Sequence, residues 1–408
     1  MNYKDLQAGI AANVKAEVTS PVKIAIIGVG GGGSNAVDNM VKAKLKVETF
    51  MAINTDLQAL RVSKATKRIQ IGSNLTKGFG AGADAEKGKK AAEESKETLV
   101  NLIKDMDLVF ITAGMGGGTG TGAAPVIAEI AQSLGKLTVA FVTTPFLFEG
   151  PVRMRNAQMG IANLRKYVDS IVIISNERLL SVAKDLTIQK AFAYADDVLR
   201  QGVQAITDLI MNPNTINVDF ADVCNVLKNG GDAVMGIGQA NGTNRAVAAV
   251  QKAVNNSVLG MTIEGASKVI INIEGGTDAL IDENARAVEI VRSICDKDVE
   301  IIYGTGTVPA LQDSIQVTII ATGFKRPFAP GENNEAKPTV QQPTVSPQPQ
   351  PVPPLNLFGD QAPQSHVPPP VQPTVPPPPV APSASDDNSG KISLSDAEMN
   401  WWKRLNNK

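Results

Sequence analysis

Two glycine-rich loops constrain this chain more than any other feature. The first, Gly28-Val29-Gly30-Gly31-Gly32-Gly33, follows the apolar, β-branched run Val22-Lys23-Ile24-Ala25-Ile26-Ile27 and opens a helical pattern. The second, Gly114-Met115-Gly116-Gly117-Gly118-Thr119-Gly120-Thr121-Gly122, follows a strand pattern over 107–112 and opens a helix at Ala123. Six glycines in nine residues cost too much chain entropy for an ordinary turn. Amides at a glycine-rich helix start present no Cβ bulk, and the helix dipole favours anions, so such loops cradle phosphate. Two cradles on neighbouring strands suggest a polyphosphate held across the switch point of one sheet.

The surrounding pattern supplies that sheet. Helix is expected over 34–46, with Ala36, Val37, Met40 and Val41 facing inward, and a long polar helix within 81–106. Strands are expected over 47–53, 107–112, 137–143 and 170–175. The βαβα order predicts an α/β fold, a Rossmann-like parallel sheet with helices on both faces. A long helix over 188–211 follows, carrying Phe192, Ala195, Val198, Leu199, Val203, Ile206, Leu209 and Ile210 on its apolar side. Strands over 267–273, 298–303 and 314–322, with helices over 246–254 and 284–295, read as a smaller C-terminal α/β unit hinged on the long helix. The expected divisions are a flexible arm (1–20), a nucleotide domain (21–187), the central helix (188–212) and the second α/β domain (213–324).

Beyond that point the composition breaks. Eighteen of the 25 prolines lie between Pro330 and Pro382. Proline removes amide donors and fixes φ, so 325–392 is expected to be a disordered, partly polyproline linker. The final segment, 393–408, is expected to form a short helix with Trp401, Trp402, Lys403 and Arg404 as an anchor for a partner groove or a lipid interface.

Composition excludes several function classes. The net charge of −1 gives no basic face for nucleic acid. Cys224 and Cys295 cannot build a disulfide framework, and no CxxC pair is present for zinc. The one histidine, His366, falls in the linker, which rules out mechanisms needing two imidazoles. Without an apolar leader or a membrane-length apolar run, the expectation is a cytoplasmic protein with no membrane span. The first loop satisfies G-x-G-x-x-G, and Asp56 lies at the distance expected of a ribose contact, so a dinucleotide oxidoreductase is one reading. That chemistry needs one glycine loop, and this chain has two. No Walker lysine motif and no Asn-Lys-x-Asp occur.

The run Gly-Gly-Gly-Thr-Gly-Thr-Gly at 116–122 matches the signature of the tubulin/FtsZ superfamily, and the chain resembles the FtsZ family, the bacterial tubulin homologues of cell division. Further motifs carry the resemblance: Ile53-Asn54-Thr55-Asp56, Gly80-Ala81-Gly82-Ala83-Asp84, Pro145-Phe146-Leu147-Phe148-Glu149-Gly150 and Asn217-Val218-Asp219-Phe220-Ala221-Asp222. It covers roughly residues 21–324. The tail departs from it, lacking the family's usual acidic–proline–phenylalanine core.

The resemblance implies GTP as nucleotide, with Mg²⁺ shielding its phosphates. Gly32, Gly33, Ser34, Asn35 and Ala36 would line one phosphate side, and Gly116, Gly117, Gly118, Thr119, Gly120 and Thr121 the other. Gly82 and Ala83 would sense the γ-phosphate. Glu149 would meet the ribose, and Arg153 would lie near the phosphates. Asn176 and Asp196 would read the guanine edge, with Asp197 one residue away as an alternative, and Phe192 would stack on the base.

Attack on a γ-phosphate needs a positioned water and stabilised charge. A ~24-residue helix spans ~36 Å, so carboxylates beyond it lie far from the phosphates of their own subunit. In the family Asn217, Asp219 and Asp222 would act in trans, on the nucleotide of the next subunit. The implied product is a head-to-tail homopolymer, GTP hydrolysis to GDP triggered by assembly, and a ring at the mid-cell division site. The tail would bind division-machinery or membrane-tethering proteins. A GTP-binding scaffold without hydrolysis, or a plasmid-partition or cell-shape tubulin, are the remaining readings.

Overall fold

The computed structural model describes residues 22–182, 186–211, 218–255 and 262–325. The expected linker and tail, including Trp401 to Arg404, fall outside them, as do the N-terminal arm and Asn217.

The first half is built as β1 (Ile24–Val29), α1 (Gly30–Lys42), β2 (Thr49–Asn54), α2 (Leu57–Val62), β3 (Lys67–Gln70), α3 (Ser73–Thr76), α4 (Ala85–Glu94), α5 (Lys96–Ile103), β4 (Leu108–Gly114), α6 (Thr119–Ser133), β5 (Leu137–Thr144), α7 (Pro151–Leu164), β6 (Ser170–Ser175) and α8 (Asn176–Val182). The 24-residue α9 (Ile188–Met211) follows. Then come α10 (Phe220–Leu227), β7 (Gly231–Asn241), α11 (Arg245–Asn255), β8 (Lys268–Gly275), α12 (Ile281–Ile294), β9 (Glu300–Thr307) and β10 (Ser314–Thr322).

These strands form a ten-stranded sheet in the order β3-β2-β1-β4-β5-β6-β7-β10-β8-β9. From β3 to β7 every pairing is parallel; β10 runs antiparallel to both β7 and β8. The joint between halves is narrow, because β6 pairs with β7 only from Ser170↔Gly231 to Val172↔Ala233. Arg165, just past α7, reinforces it with a bidentate pair to the buried Asp232 at 2.9 and 3.0 Å.

Strands β1, β4 and β5 are apolar along nearly their whole length because both faces are covered. Alternate residues feed two cores. Ile24 and Ile26 pack with Val37 and Met40 of α1 and with Leu199, Val203 and Ile206 of α9. Ala25, Ile27 and Val29 pack on the other face, with Leu99 of α5, Ile127 of α6 and Ile161 of α7. Chain direction across the sheet reverses between β1 and β4, which places a switch point between the two glycine loops.

Three local departures from the sequence expectation have visible causes. The single helix expected within 81–106 is two, broken at Ser95 (φ −101°, ψ 17°), whose hydroxyl accepts the Gly72 N–H at 3.1 Å. Helix α1 starts at Gly30, four residues before Ser34, so most of the glycine run is helix rather than loop. Strand β7 was hidden by its glycines. A Cβ at Gly236 would sit 1.9 Å from the Ala253 carbonyl oxygen, and one at Gly238 2.0 Å from that of Ala249, because α11 lies directly on the strand.

Candidate active site

A cleft of about 520 Å³ opens where β1 and β4 end. Helices α1 and α6 both start at its floor, so two sets of free N-terminal amides and two positive dipole ends converge there. Gly32 and Asn35 line it from α1, and Gly117, Gly118, Thr119 and Gly120 from the second loop. Gly82 and Ala83 close one side, both with positive φ (64° and 62°). Glu149, Arg153, Asn176, Phe192 and Asp196 line the other.

Five residues expected at the phosphates are not among those that line the cleft. Gly33, Ser34 and Ala36 are buried in α1. Gly116 is turned at φ 103°, and its N–H donates to Thr121 Oγ1 at 2.8 Å, so that pair braces the loop from within. The two loops are also packed against each other. A Cβ on Gly30, which sits at φ +73°, would lie 2.8 Å from the Gly120 nitrogen.

The side chains on the outer wall are held individually. Glu149 accepts the Phe146 N–H at 3.0 Å and pairs with the half-exposed Arg153 at 2.5 Å. Phe192 stands edge-on to Phe146, with ring centroids 5.0 Å apart, and lines the cleft while 40% exposed. Asn176 is 5% exposed, and its Oδ1 has no hydrogen-bond partner.

Asp196 and Asp197 separate cleanly. Asp196 lines the cleft, whereas Asp197 accepts from Arg200 at 2.7 Å and from Gln201 at 2.6 Å on the surface of α9. Burial pushes the Asp196 carboxyl up to about 7; Lys42 opposes the rise, and Asp197 and Asp38 add to it.

Asp219 and Asp222 are not in the cleft. They face each other across the first turn of α10, where Asp219 is the N-cap.

Two further residues, for which no role was expected, line the cleft. Asn54 lines it, and Phe79 lines it while remaining 87% exposed. The Asn-Thr-Asp run signalled the first; nothing about an isolated Phe before Gly80 signalled the second. Asp56 also lines the cleft, but its Oδ1 caps α2 by accepting from the Gln58 and Ala59 amides at 2.8 and 3.3 Å.

Residues 23–184 match the model of the tubulin/FtsZ family GTPase domain, and residues 231–325 match the FtsZ family C-terminal domain. An FtsZ dimer structure from M. jannaschii is 40% identical over 79% of this chain and 93% of that one, with a TM-score of 0.72. The chain belongs to the tubulin/FtsZ family. It is a GTPase, and a GTPase domain of this family implies binding of a guanine nucleotide. Two CetZ structures from Haloferax volcanii share the fold. CetZ1, a GDP-bound monomer, is 23% identical over 74% of this chain and 94% of that one, with a TM-score of 0.66. CetZ2, a GTPγS-bound protofilament, is 19% identical over 75% and 94%, with a TM-score of 0.64.

The donor set bears on a metal ion too. Among the described residues no three His, Cys, Asp or Glu side chains converge into a cage. Magnesium is commonly held by one or two carboxylates together with substrate phosphates, and Asp56 with Asn54 is compatible with that mode.

Proposed function

We propose that this protein is a self-assembling cytoskeletal GTPase that forms head-to-tail filaments and, in the cell, the cytoplasmic ring at the mid-cell division site. The observation that carries the reading is the separation of parts: the glycine loops, Asn176, Phe192 and Asp196 line one cleft, while Asp219 and Asp222 lie outside it. A second subunit stacked on the first would bring these carboxylates to the open cleft. A head-to-tail contact that does not close into a ring of few subunits generates a filament. The CetZ2 protofilament supports this at the level of fold.

In this reading the amides at the starts of α1 and α6 hold the phosphates, and Gly82 and Ala83 contact the terminal one. Phe192 stacks on guanine, Asp196 accepts from its N1–H and amino group, and Asn176 donates to or accepts from the base. Glu149 meets the ribose. Asn217, Asp219 and Asp222 of the neighbouring subunit orient the attacking water. Asp56 and Asn54 would hold Mg²⁺ together with the phosphates, and the ion would supply charge neutralisation there. The tail segment at Trp401, Trp402, Lys403 and Arg404 docks the filament to division-machinery or membrane-tethering proteins.

The test is GTP hydrolysis measured against protein concentration. A specific rate that rises above a threshold, and a monomer locked against assembly that is inactive, are expected. Full activity in the locked monomer would overturn the reading. The dinucleotide alternative predicts NAD binding without GTP turnover, and the pure scaffold predicts that Asp222→Ala changes nothing in GTP turnover.

A further inference from the structure

Thr55 lies between two residues that line the cleft, Asn54 and Asp56, yet does not line it and is fully buried. Its hydroxyl lies 2.7 Å from that of Thr119, the first residue of α6 and part of the cleft wall. Its backbone carbonyl accepts the Gly80 N–H at 3.3 Å. Thr55 therefore fastens the end of β2 to both the 80–83 loop and the second glycine loop.

Two hydroxyls in contact share one hydrogen, so one donates and the other must direct its own hydrogen elsewhere. Among the described residues Thr119 Oγ1 is the one partner of the Thr55 side chain. If Thr119 donated, the Thr55 hydrogen would be buried with no acceptor, which carries the full desolvation penalty of an unmade bond. Thr119 has an outlet that Thr55 lacks, because it lines the cleft and is 9% exposed whereas Thr55 is fully buried. The pair thus has one low-energy order: Thr55 donates, Thr119 accepts, and the Thr119 hydrogen faces the cleft.

We propose that Thr55 is a positioning residue for phosphate binding: by donating to Thr119 Oγ1 it turns the Thr119 hydroxyl into an oriented donor toward the nucleotide phosphates. This rests on the nucleotide reading of the cleft. A hydroxyl that already donates its hydrogen into the cleft, and is polarised by accepting one behind it, meets an anion without reorienting. Thr55 touches no ligand itself.

The experiment is a double-mutant cycle on the full chain, at concentrations below assembly, reading equilibrium affinity for GTP, GDP and guanosine. Thr55→Val is expected to weaken GTP and GDP about tenfold while guanosine changes less than about twofold, since only phosphate contacts use the hydroxyl. Thr55→Ser, which keeps the donor, restores wild-type affinity. On a Thr119→Val background, Thr55→Val adds less than about twofold. If Thr55→Val does not fold, Thr55→Cys, a weak donor, takes its place with the same direction expected. The inference is overturned if loss of the Thr55 donor leaves GTP affinity unchanged, weakens guanosine equally, or acts undiminished without the Thr119 hydroxyl. A wild-type protein that does not bind GTP would instead overturn the nucleotide reading, and this inference with it.

Discussion

Asp219 and Asp222 cap the same helix reciprocally. Asp219 Oδ1 accepts the Asp222 N–H at 2.8 Å, and Asp222 Oδ2 accepts the Asp219 N–H at 3.3 Å. A capping box of this kind stabilises a helix start without any catalytic role. Structure and proposed chemistry are therefore superimposed on one pair of side chains, and a careless substitution would confound them.

The separating variant is Asp219→Asn. Asparagine caps about as well as aspartate, so the melting temperature should stay within a degree or two, whereas alanine loses about 1 kcal/mol. If the carboxylate orients water, GTP turnover in Asp219→Asn should fall by about a hundredfold or more while the fold is intact. Thermal melts beside a phosphate-release assay check this. Unchanged turnover in the asparagine variant would leave the pair as a cap alone.

Asp196 predicts a pH dependence with a definite sign. Its carboxyl is raised from the ordinary range to about 7, chiefly by burial. The folded, nucleotide-free protein then holds this proton more tightly than the unfolded chain does. The contribution of this group to stability therefore falls as pH rises from about 4 through about 7. Guanine offers donors to this position, which favours the carboxylate, so nucleotide binding should release a proton near pH 7. Affinity should weaken by up to about tenfold per pH unit below that. Calorimetry in buffers of different ionisation heat measures the proton directly. A count of zero at pH 6.5 would remove Asp196 from the base-reading role.

The Arg165–Asp232 pair should be costly to break from one side. Asp232 has a side chain only 3% exposed, so Arg165→Met takes the bidentate partner away from a buried charge and should cost about 3–5 kcal/mol. The double change Arg165→Met with Asp232→Leu should recover much of that loss. Denaturant titration of the three variants gives the comparison.

Two glycines offer a contrast inside the glycine loops. A Cβ at Gly122 would lie 1.9 Å from the Ala85 carbonyl oxygen, so Gly122→Ala must push α4 away from α6 and should destabilise by about 1–3 kcal/mol or more. Gly31 lines the cleft and has nothing within 4 Å of its would-be Cβ. Gly31→Ala should fold normally and act only on nucleotide affinity. Melting curves and GTP titrations on both variants check it.

The sheet and the switch point were legible because buried parallel strands write themselves as continuous apolar runs. Strand β6 and the long helix α9 fall where periodicity puts them. Strand β7 was not legible, since its glycines answer to the backbone of α11, a partner remote in sequence. In the cleft, the glycine loops announced themselves. The choice between Asp196 and Asp197 did not, because it depends on which way one turn of α9 faces and on Arg200 claiming the second carboxylate. The bracing bond of Thr121 was equally hidden: that its hydroxyl accepts the Gly116 amide is visible only in the fold.

The mutual packing of the two glycine loops has an evolutionary corollary. Gly30 leans on Gly120, and Gly118 on the backbone of Asp84, before any ligand arrives. A descendant that stopped hydrolysing nucleotide would still be obliged to keep these residues in order to fold. Their retention in a lineage testifies to architecture, and loss of activity would leave its trace elsewhere, in positions that the scaffold leaves free to drift.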